Sequence, residues 1–294
     1  MNFADIANRF RIDQPDKFRI AEAAPDETLG LTKDRAKDLL EEGIKRLKDL
    51  QERLYADDHW SILIVLQAMD AAGKDSVIEH VMSGLNPQGC EVHAFKQPSE
   101  EELSHDFLWR AASNVPQRGR IGIFNRSHYE EVLVVRVHPE YLIPQKLPPG
   151  PSGDDLWQER YRSIRNFESH LAGNGTVVLK FFLNVSREEQ KKRFLARLDE
   201  PGKRWKFSIG DIAERKLWPQ YMDAYEQAIR HTSTPQAPWF VVPADQKWFT
   251  RLVVAAAMVD AMERLKLEFP KAAGEKLEQL LKCRAELEAE KQAS

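Results

Sequence analysis

The stretch SILIVLQAMDAAGKDS, at residues 61–76, decides the fold of this chain. Its first seven residues form a continuous apolar run, which is typical of a strand covered on both faces of a parallel sheet. A turn containing Gly73 follows, and the sequence predicts a helix over residues 75–83. Backbone N–H groups in such a turn, together with a helix N-terminus, favour a bound anion. The stretch therefore predicts a phosphate-binding loop, in which Lys74 adds a mobile positive charge.

The same alternation of strand and helix continues along the chain. Strands are predicted at residues 61–67, 90–95, 121–124, 176–184 and 239–242. Helices are predicted at residues 31–55, 75–83, 100–112, 127–135, 154–172, 186–198 and 247–267. Strands that alternate with helices indicate an α/β fold, here a parallel five-stranded sheet with helices on both faces.

The chain is interpreted as a single domain spanning residues 1–294. Residues 1–56 form an N-terminal arm and helix, with the first 30 residues extended on the body. Residues 57–268 form the core, and residues 269–294 form a charged helical tail. Two stretches rich in Pro and Gly interrupt the core: residues 139–153, a long surface loop, and residues 199–208, a candidate lid.

Composition excludes several classes of partner. Lys and Arg number 43 against 46 Asp and Glu, so the net charge of −3 gives no chain-wide field for nucleic acid. No apolar run approaches the roughly 20 residues that a membrane span needs. Cys90 and Cys283 lie far apart, which favours reduced thiols in a cytoplasmic protein and supports no zinc site. A polyanionic ligand would therefore need a local basic cluster.

The loop departs from the strict pattern G-x-x-x-x-G-K-[ST] at two positions. Ala68 replaces the first Gly, and Asp75 replaces the hydroxyl residue after Lys74. An ordinary strand–turn–helix corner with a solvated Lys is the alternative. The candidate phosphate-binding residues of the loop are Ala71, Ala72, Gly73, Lys74, Asp75 and Ser76.

A second polar cluster follows the strand at residues 121–124. A phosphate-binding loop usually has an acidic residue for magnesium at this strand end, but here the residue is Asn125. Asp70 becomes the main candidate for holding Mg²⁺, with Glu130 and Glu131 as weaker ones. Arg126 would face the phosphates.

The third feature is a local basic cluster. Residues 191–206 contain seven basic residues against two acidic ones, a balance of +5. The basic residues are Lys191, Lys192, Arg193, Arg197, Lys203, Arg204 and Lys206. Arg193 and Arg197 share one helix face, and the rest flank a Pro-Gly turn, as in a mobile lid over phosphates. A solvated helix face is the alternative.

Four motifs in this order resemble those of the polyphosphate kinase 2 family. They are DAAGKD at residues 70–75, FKQPSEEELSHDFLWR at 95–110, FNRSHYE at 124–130 and PGKRWKF at 201–207. The resemblance implies a P-loop kinase fold similar to thymidylate kinase, with magnesium-dependent phosphoryl transfer between polyphosphate and a nucleotide. It also implies assembly into homodimers or homotetramers.

The resemblance assigns roles by residue. The catalytic set would consist of Asp70, Lys74, Asn125, Arg126 and Arg136. Within this set, Arg126 and Arg136 would contact the phosphates. By the resemblance, the lid residues Lys203, Arg204 and Lys206 would bind phosphate or polyphosphate. Arg193 and Arg197 are candidates for the same contacts because they belong to the basic cluster.

The acceptor would be an adenine nucleotide or, as an alternative, a guanine nucleotide. Its candidate contacts are Lys96, Asp106, Arg110 and Arg126. The motif FNRSHYE, with Asn at position 125, resembles that of the subgroup that accepts both AMP and ADP. His105 is interpreted as structural, and His128 is not assigned as a general base. Two rival functions stay open: an ATP-dependent nucleoside monophosphate kinase, and a binding protein without catalysis.

Overall fold

A computed structural model of the protein describes residues 1–290. Its sheet contains β1 (Ser61–Gln67), β2 (Cys90–Ala94), β3 (Ile121–Asn125), β4 (Thr176–Asn184) and β5 (Trp239–Pro243). The strands lie in the order β2-β3-β1-β4-β5, and all four pairs are parallel. The predicted α/β fold with a parallel five-stranded sheet is confirmed.

Twelve α-helices accompany the sheet within the described residues. They are α1 (Phe3–Phe10), α2 (Lys33–Asp57), α3 (Lys74–Val81), α4 (Glu100–Ser104), α5 (Trp109–Ala112), α6 (Val134–Val137), α7 (Asp154–Gly173), α8 (Arg187–Asp199), α9 (Gly210–Lys216), α10 (Trp218–Thr232), α11 (Lys247–Arg264) and α12 (Gly274–Glu290). Short 3₁₀ helices lie at Pro15–Lys17, Ile20–Glu22, Pro87–Gly89, His128–Val132, Pro139–Gln145 and Pro201–Lys206.

The helices cover the sheet in two groups. Helix α11 packs against α1, α2 and α3 as well as β4 and β5. On β4, Lys180 contacts Glu168 of α7, and Phe182 stacks on Tyr225 of α10 at 4.3 Å. Because residues two apart on a strand share a face, α7 and α10 cover one face together.

The central position of β1 places the functional loop. All seven residues of β1 are buried, between β3 on one side and β4 on the other. Leu66 of β1 pairs with Asn125 of β3, so both strands end at the same edge of the sheet. The loop after β1 and the turn after β3 therefore emerge side by side, as expected for a ligand site in an open parallel sheet.

The N-terminus differs from the predicted extended arm, which is wrong for residues 3–10. Asn2 caps α1 by accepting from the Asp5 N–H at 2.8 Å. Phe3, Ile6 and Phe10 are buried, and Phe10 packs edge-on against Phe249 of α11. A helix of eight residues is not stable alone, so tertiary packing supplies its stability.

Two predicted helices are shorter than expected. The helix predicted at residues 100–112 breaks between α4 and α5, where Asp106 accepts from the Leu108 N–H at 2.9 Å. The segment predicted at residues 127–135 is a 3₁₀ helix capped by Ser127, followed by α6. Arg126 therefore precedes the helical turns, while Arg136 lies on α6.

The charged tail matches its prediction as far as it is described. Helix α12 is exposed along residues 274–289, and residues 291–294 of the predicted tail lie outside the described part. Within residues 1–290, no helix combines the length and apolar character that crossing a bilayer requires.

Candidate active site

The loop between β1 and α3 depends on two residues with left-handed backbone. Gly73 is the N-cap of α3 and has φ = 116°, where side chains are strained. Ala71 has φ = 62°, a conformation that costs a non-glycine residue roughly 1–2 kcal/mol. Strain of this kind persists only where surrounding contacts enforce it, and it concentrates at functional sites.

Lys74 opens α3 and points back along the loop. Its Nζ donates to the Ala68 carbonyl at 2.9 Å. Burial, and then the charge of Arg126, lower the pKa of Lys74, while the Asp70 carboxylate opposes the shift. The ammonium thus lies in a partly buried, crowded cluster of charges, where it interacts more strongly with an added phosphate than it would in open water.

Arg126 joins the loop to the end of β3. It too has left-handed backbone, with φ = 63°, and its N–H donates to the Leu66 carbonyl at 3.1 Å. Its Nη2 donates to Asp70 Oδ1 at 2.9 Å, and its Nη1 lies 3.9 Å from Glu130 Oε2. The structure therefore brings together four predicted residues: Asp70, Lys74, Arg126 and Glu130.

Glu130 lies in the least solvated part of this cluster. Burial raises the pKa of its carboxyl group, against the opposing charges of Arg126 and Lys74. Gln67, at the end of β1, donates to Glu130 Oε1 at 2.9 Å and accepts from Ser127. The sequence analysis missed Gln67, because it follows an apolar run; a polar residue at the end of a buried strand is the signal that marks it.

Asn125 contacts the loop directly. Its Nδ2 donates to Asp75 Oδ1 at 2.8 Å, so two of the three departures from the usual patterns are in direct contact. The side chain of Ser76, in the same turn of α3, accepts from Arg251 Nη2 at 2.7 Å. Arg251 was not among the predicted site residues.

Arg193 supports the loop from behind, where the sequence had predicted a phosphate contact. Its Nη1 donates to the carbonyls of Ala71 and Ala72, at 3.0 and 2.7 Å. Its Nη2 donates to the carbonyls of Ala244 and Asp245, at 2.6 and 3.0 Å. Its Nε donates to Glu189 at 2.9 Å, so all five N–H donors are occupied. The guanidinium therefore holds the loop against the end of β5.

A second residue of α8 reinforces this support. Gln190 donates to the Asp70 carbonyl at 3.0 Å, and its Oε1 accepts from Arg215 Nη1 of α9 at 2.7 Å. Helices α8 and α9 flank the lid segment, so both of its ends are anchored near the loop backbone.

The cations of the lid lie on an exposed 3₁₀ helix. Lys203 pairs with Glu200 at 2.5 Å, and Arg204 Nε donates to the Leu198 carbonyl at 2.8 Å. Lys206 lies 5.1 Å from the Trp205 ring centroid. Each of these side chains contacts its own segment, so the structure keeps them together but does not place them on the loop.

Arg197 and Arg136 contact different elements of the structure. Arg197 lies over the Phe194 ring, at 5.7 Å from its centroid. Arg136 Nη1 donates to the Tyr161 hydroxyl at 3.0 Å, and its Nη2 lies 3.5 Å from Asp223. Arg136 is thus held by α7 and α10, apart from the ion pairs of Arg126.

Two of the four residues predicted for the nucleotide line one cavity, whereas Arg126 lies at the phosphate-binding loop. Asp106 and Arg110 line a cavity of about 270 Å³ between α4–α5 and residues 139–148. Arg110 is buried and donates to the Lys96 carbonyl at 2.8 Å, while the Lys96 side chain is exposed. Arg110 Nη2 also lies 3.6 Å from Glu131 Oε1, so the Arg110 side chain stabilises the wall of the cavity.

Other predictions concern residues beside the site. Glu131 is buried and accepts from Arg160 and Gln145, so it is committed to structure and not to a metal. His105 stacks on Trp109 at 4.1 Å, and His128 is buried beside Tyr129. The stacking of His105 on Trp109 agrees with the structural role expected for His105.

The carboxylates of the cluster suit a divalent metal ion bound together with phosphate. Mg²⁺ in such sites takes one or two carboxylates and completes its shell with water and substrate oxygens. Asp70, Asp75 and Glu130 supply hard oxygen ligands beside Lys74. Within residues 1–290, no group of three or more acidic, His or Cys side chains forms a protein-only metal cage.

Comparison with known proteins assigns this chain to one family. The family model "Polyphosphate kinase 2 (PPK2)" matches residues 30–270. A relative from Rhodopseudomonas palustris named "ADP-polyphosphate phosphotransferase" is 52% identical over 87% of this chain and 89% of its own length. Another relative, from Meiothermus ruber and named "AMP/ADP-polyphosphate phosphotransferase", is 46% identical over 89% of this chain and 95% of its own length.

A solved structure supports the same assignment. Polyphosphate kinase 2 from Arthrobacter aurescens TC1 superposes with a TM-score of 0.86 at 42% identity, covering 97% of each chain. Since an alignment of this quality covers nearly the whole chain, the predicted P-loop kinase fold is confirmed.

Proposed function

The chain belongs to the polyphosphate kinase 2 family, and we propose that it transfers phosphoryl groups from inorganic polyphosphate to AMP and ADP. One observation carries the proposal: the loop backbone, Lys74 and Arg126 converge on one spot at the carboxyl edge of the sheet. Phosphoryl transfer requires little covalent chemistry from the protein, so positioning and charge stabilisation account for most of the catalysis.

Each residue of the cluster has a definable task. The N–H groups of the loop and of the first turn of α3 bind phosphate oxygens, because they have no partner inside the helix. Lys74 follows the transferred group. Arg126, held by Asp70 at 2.9 Å, neutralises charge on the equatorial oxygens. A phosphate oxygen of the acceptor is the nucleophile, so no general base is needed.

Magnesium would be held by Asp70, with Glu130 as a second ligand. The ion would neutralise phosphate charge and orient the oxygens. Burial raises the pKa of Glu130, so this carboxylate binds a cation more readily as pH rises through that raised value.

The acceptor is proposed to place its nucleoside in the cavity lined by Asp106, Phe107 and Arg110. Lys96 and Arg126 would contact its phosphates, and lid residues Lys203, Arg204 and Lys206 would close over the donor. The residue Asn125 and the name of the Meiothermus ruber relative both favour use of AMP as well as ADP.

The decisive experiment compares the wild type with Lys74→Ala. Long-chain polyphosphate and Mg²⁺ are mixed with AMP or ADP in separate tubes, and ADP and ATP are quantified by chromatography. We expect product from both acceptors and a loss of about 1,000-fold or more in Lys74→Ala, as for other transition-state charges. Lys48→Ala is the matched control, since Lys48 is an exposed lysine on α2.

Three outcomes would change the conclusion. Full activity of a folded Lys74→Ala variant would contradict the assignment of the active site to this loop. Activity with ATP as donor and none with polyphosphate would support a nucleoside monophosphate kinase. Tight binding of polyphosphate without turnover would indicate a binding protein.

Assembly and location are proposed on the same basis. We expect a homodimer or homotetramer in solution, which light scattering of the purified chain would measure. A cytoplasmic location, where nucleotides and magnesium are present, is the corresponding expectation for the cell, checked by fractionation.

A further inference from the structure

His138 faces a carboxylate on each of its two ring nitrogens. It lies between α6 and the 3₁₀ helix at Pro139–Gln145. Its Nδ1 lies 3.2 Å from Glu140 Oε1, and its Nε2 lies 2.9 Å from Glu214 Oε2 of α9. A neutral imidazole has a single N–H donor, so two carboxylate partners require the protonated ring. We call this imidazolium and its two carboxylates the His138 bridge.

The groups around the ring maintain its charge. Tyr141 stacks on it at 5.3 Å, and Tyr221 of α10 lies 6.5 Å away between ring centroids. Tyr221 also donates to Glu214 Oε2 at 2.5 Å, which holds that carboxylate in place. Burial by itself would lower the pKa of His138, but the bonds and charges of Glu214 and Glu140 outweigh burial and raise the pKa. The bridge is therefore fully charged below the ordinary histidine pKa of about 6.5, and it is lost as pH rises through the raised value.

The bridge connects the lid to the acceptor side of the site. Helix α9 follows the lid segment directly, and its Arg215 donates to Gln190, the residue of α8 that bonds to the phosphate-binding loop. The neighbouring residue Glu214 reaches the other way, to His138. The 3₁₀ helix that begins beyond His138 ends at Gln145, which lines the cavity proposed for the nucleoside. One bond to α9 thus links the far end of the lid to a wall of that cavity.

The position of the bridge points to a role in binding the acceptor. A wall that is already ordered loses less conformational freedom when a ligand binds than a mobile one does. Resting on the proposed function, we propose that His138 is a positioning residue, whose protonated ring holds the helix after the lid against the wall of the acceptor cavity and so tightens binding of AMP and ADP.

The kinetic test compares pH profiles of the acceptor KM. The proteins are the wild type, His138→Gln, Glu214→Gln and the control His170→Gln, which changes an exposed histidine at the end of α7. Loss of a partly exposed ion pair corresponds to about a fivefold rise in KM. We expect that rise near pH ~6 in His138→Gln and Glu214→Gln, and convergence with the wild type near pH ~9, where the ring is neutral. The kcat should change far less.

The control removes the effect of the substrate's own titration, because the phosphates of the nucleotide ionise identically with every protein. His170→Gln should match the wild type at each pH. A KM ratio between His138→Gln and the wild type that stays constant across pH would contradict the proposal, since a merely structural contact does not titrate.

Hydrogen exchange followed by mass spectrometry tests the bridge without turnover. Exchange in α9 and in residues 139–148, measured without substrate and corrected for intrinsic rates, should be about fivefold faster in His138→Gln than in the wild type near pH ~6. The difference should vanish near pH ~9. Equal exchange of the two proteins near pH ~6 would contradict the bridge, whereas an inactive wild type with this exchange pattern intact would contradict the proposed function instead.

Discussion

At the scale of the residue, Asn125 and Asp75 form a pair in which one departure from the usual pattern compensates for the other. Asp75 stands where the usual loop has a hydroxyl, and Asn125 stands where the strand usually ends in an acid. The amide donates to the carboxylate at 2.8 Å, a charge-assisted bond that holds the loop against β3. The pair keeps one carboxylate at this point, supplied by the loop instead of the strand.

The substitution Asn125→Asp tests this pairing. It would set two carboxylates at hydrogen-bond distance, where they repel and favour a shared cation. We expect the half-saturating Mg²⁺ concentration for polyphosphate-dependent ATP formation to fall. We also expect Mg²⁺ to raise the Tm of the variant more than that of the wild type.

The control for Asn125→Asp is Asn8→Asp, which adds the same charge at an exposed position of α1. An unchanged magnesium requirement in Asn125→Asp would show that the two side chains act separately.

At the scale of the element, α8 connects the lid to the loop. Its residue Arg193 bridges loop carbonyls to those at the end of β5, and Gln190 bonds to the Asp70 carbonyl. Arg215 of α9 bonds to the same Gln190 from the other end of the lid. Because the three contacts converge, the lid's two ends and the loop form one unit, and Arg193 is a positioning residue.

We expect Arg193→Ala to lower kcat by about 100-fold, since displacing the loop by an ångström is enough for such a loss. The KM of the acceptor should change far less. Removing the guanidinium also leaves four carbonyls without a donor, which costs at least about 2 kcal/mol of folding stability. Steady-state kinetics and thermal unfolding measure both effects.

Two variants separate positioning from general destabilisation. Arg187→Ala, on the exposed face of α8, should match the wild type. Arg193→Lys should recover stability better than kcat, because three donors cannot replace five. Equal recovery of both would contradict a positioning role.

At the scale of the whole molecule, a buried ion pair joins the sheet to α7 and α10. Lys180 of β4 is fully buried and donates to Glu168, the Tyr129 hydroxyl and the Thr232 carbonyl, at 2.5, 2.9 and 2.7 Å. Tyr129 in turn donates to Glu168 at 2.7 Å. All three ammonium protons are used, so we infer a charged pair that fixes the segment following Arg126.

Lys180→Met should leave Glu168 buried without its counter-charge, at a cost of about 3–5 kcal/mol. In the wild type, Lys180 and His128 lower the pKa of Glu168, so its stabilisation is present at neutral pH and is lost as acid protonates it. In the variant, burial would raise that pKa above the unfolded value. The contribution of Glu168 to the free energy of unfolding would then be most favourable below that raised pKa and would decrease as pH rises through it.

Chemical denaturation of both proteins at several pH values between 5 and 8 measures this difference. The double variant Lys180→Met with Glu168→Leu should regain part of the stability and lose the pH dependence. A loss in Lys180→Met that is constant across this range would contradict the charged pair.

Local sequence determined the fold and the centre of the site. The apolar run of β1, the glycine after it and Lys74 define a strand, a turn and a helix, because each depends on nearby residues. The alternation of later strands and helices was enough to predict the parallel sheet. The motif residues Asp70, Lys74, Arg126 and Glu130 do converge, since the ends of neighbouring parallel strands meet at one edge.

Tertiary structure decided which cations face the ligand and which support the loop. Arg193 and Arg197 are equivalent in the sequence pattern, yet the carbonyls of the loop and of β5 occupy every donor of Arg193. Residues far apart in sequence supply those carbonyls, as Arg251 supplies a contact to Ser76 across 175 positions. The same holds for α1, whose eight residues become helical because α11 covers their apolar face. Periodicity shows which residues share a face, but the partner that meets the face is set only when the chain folds.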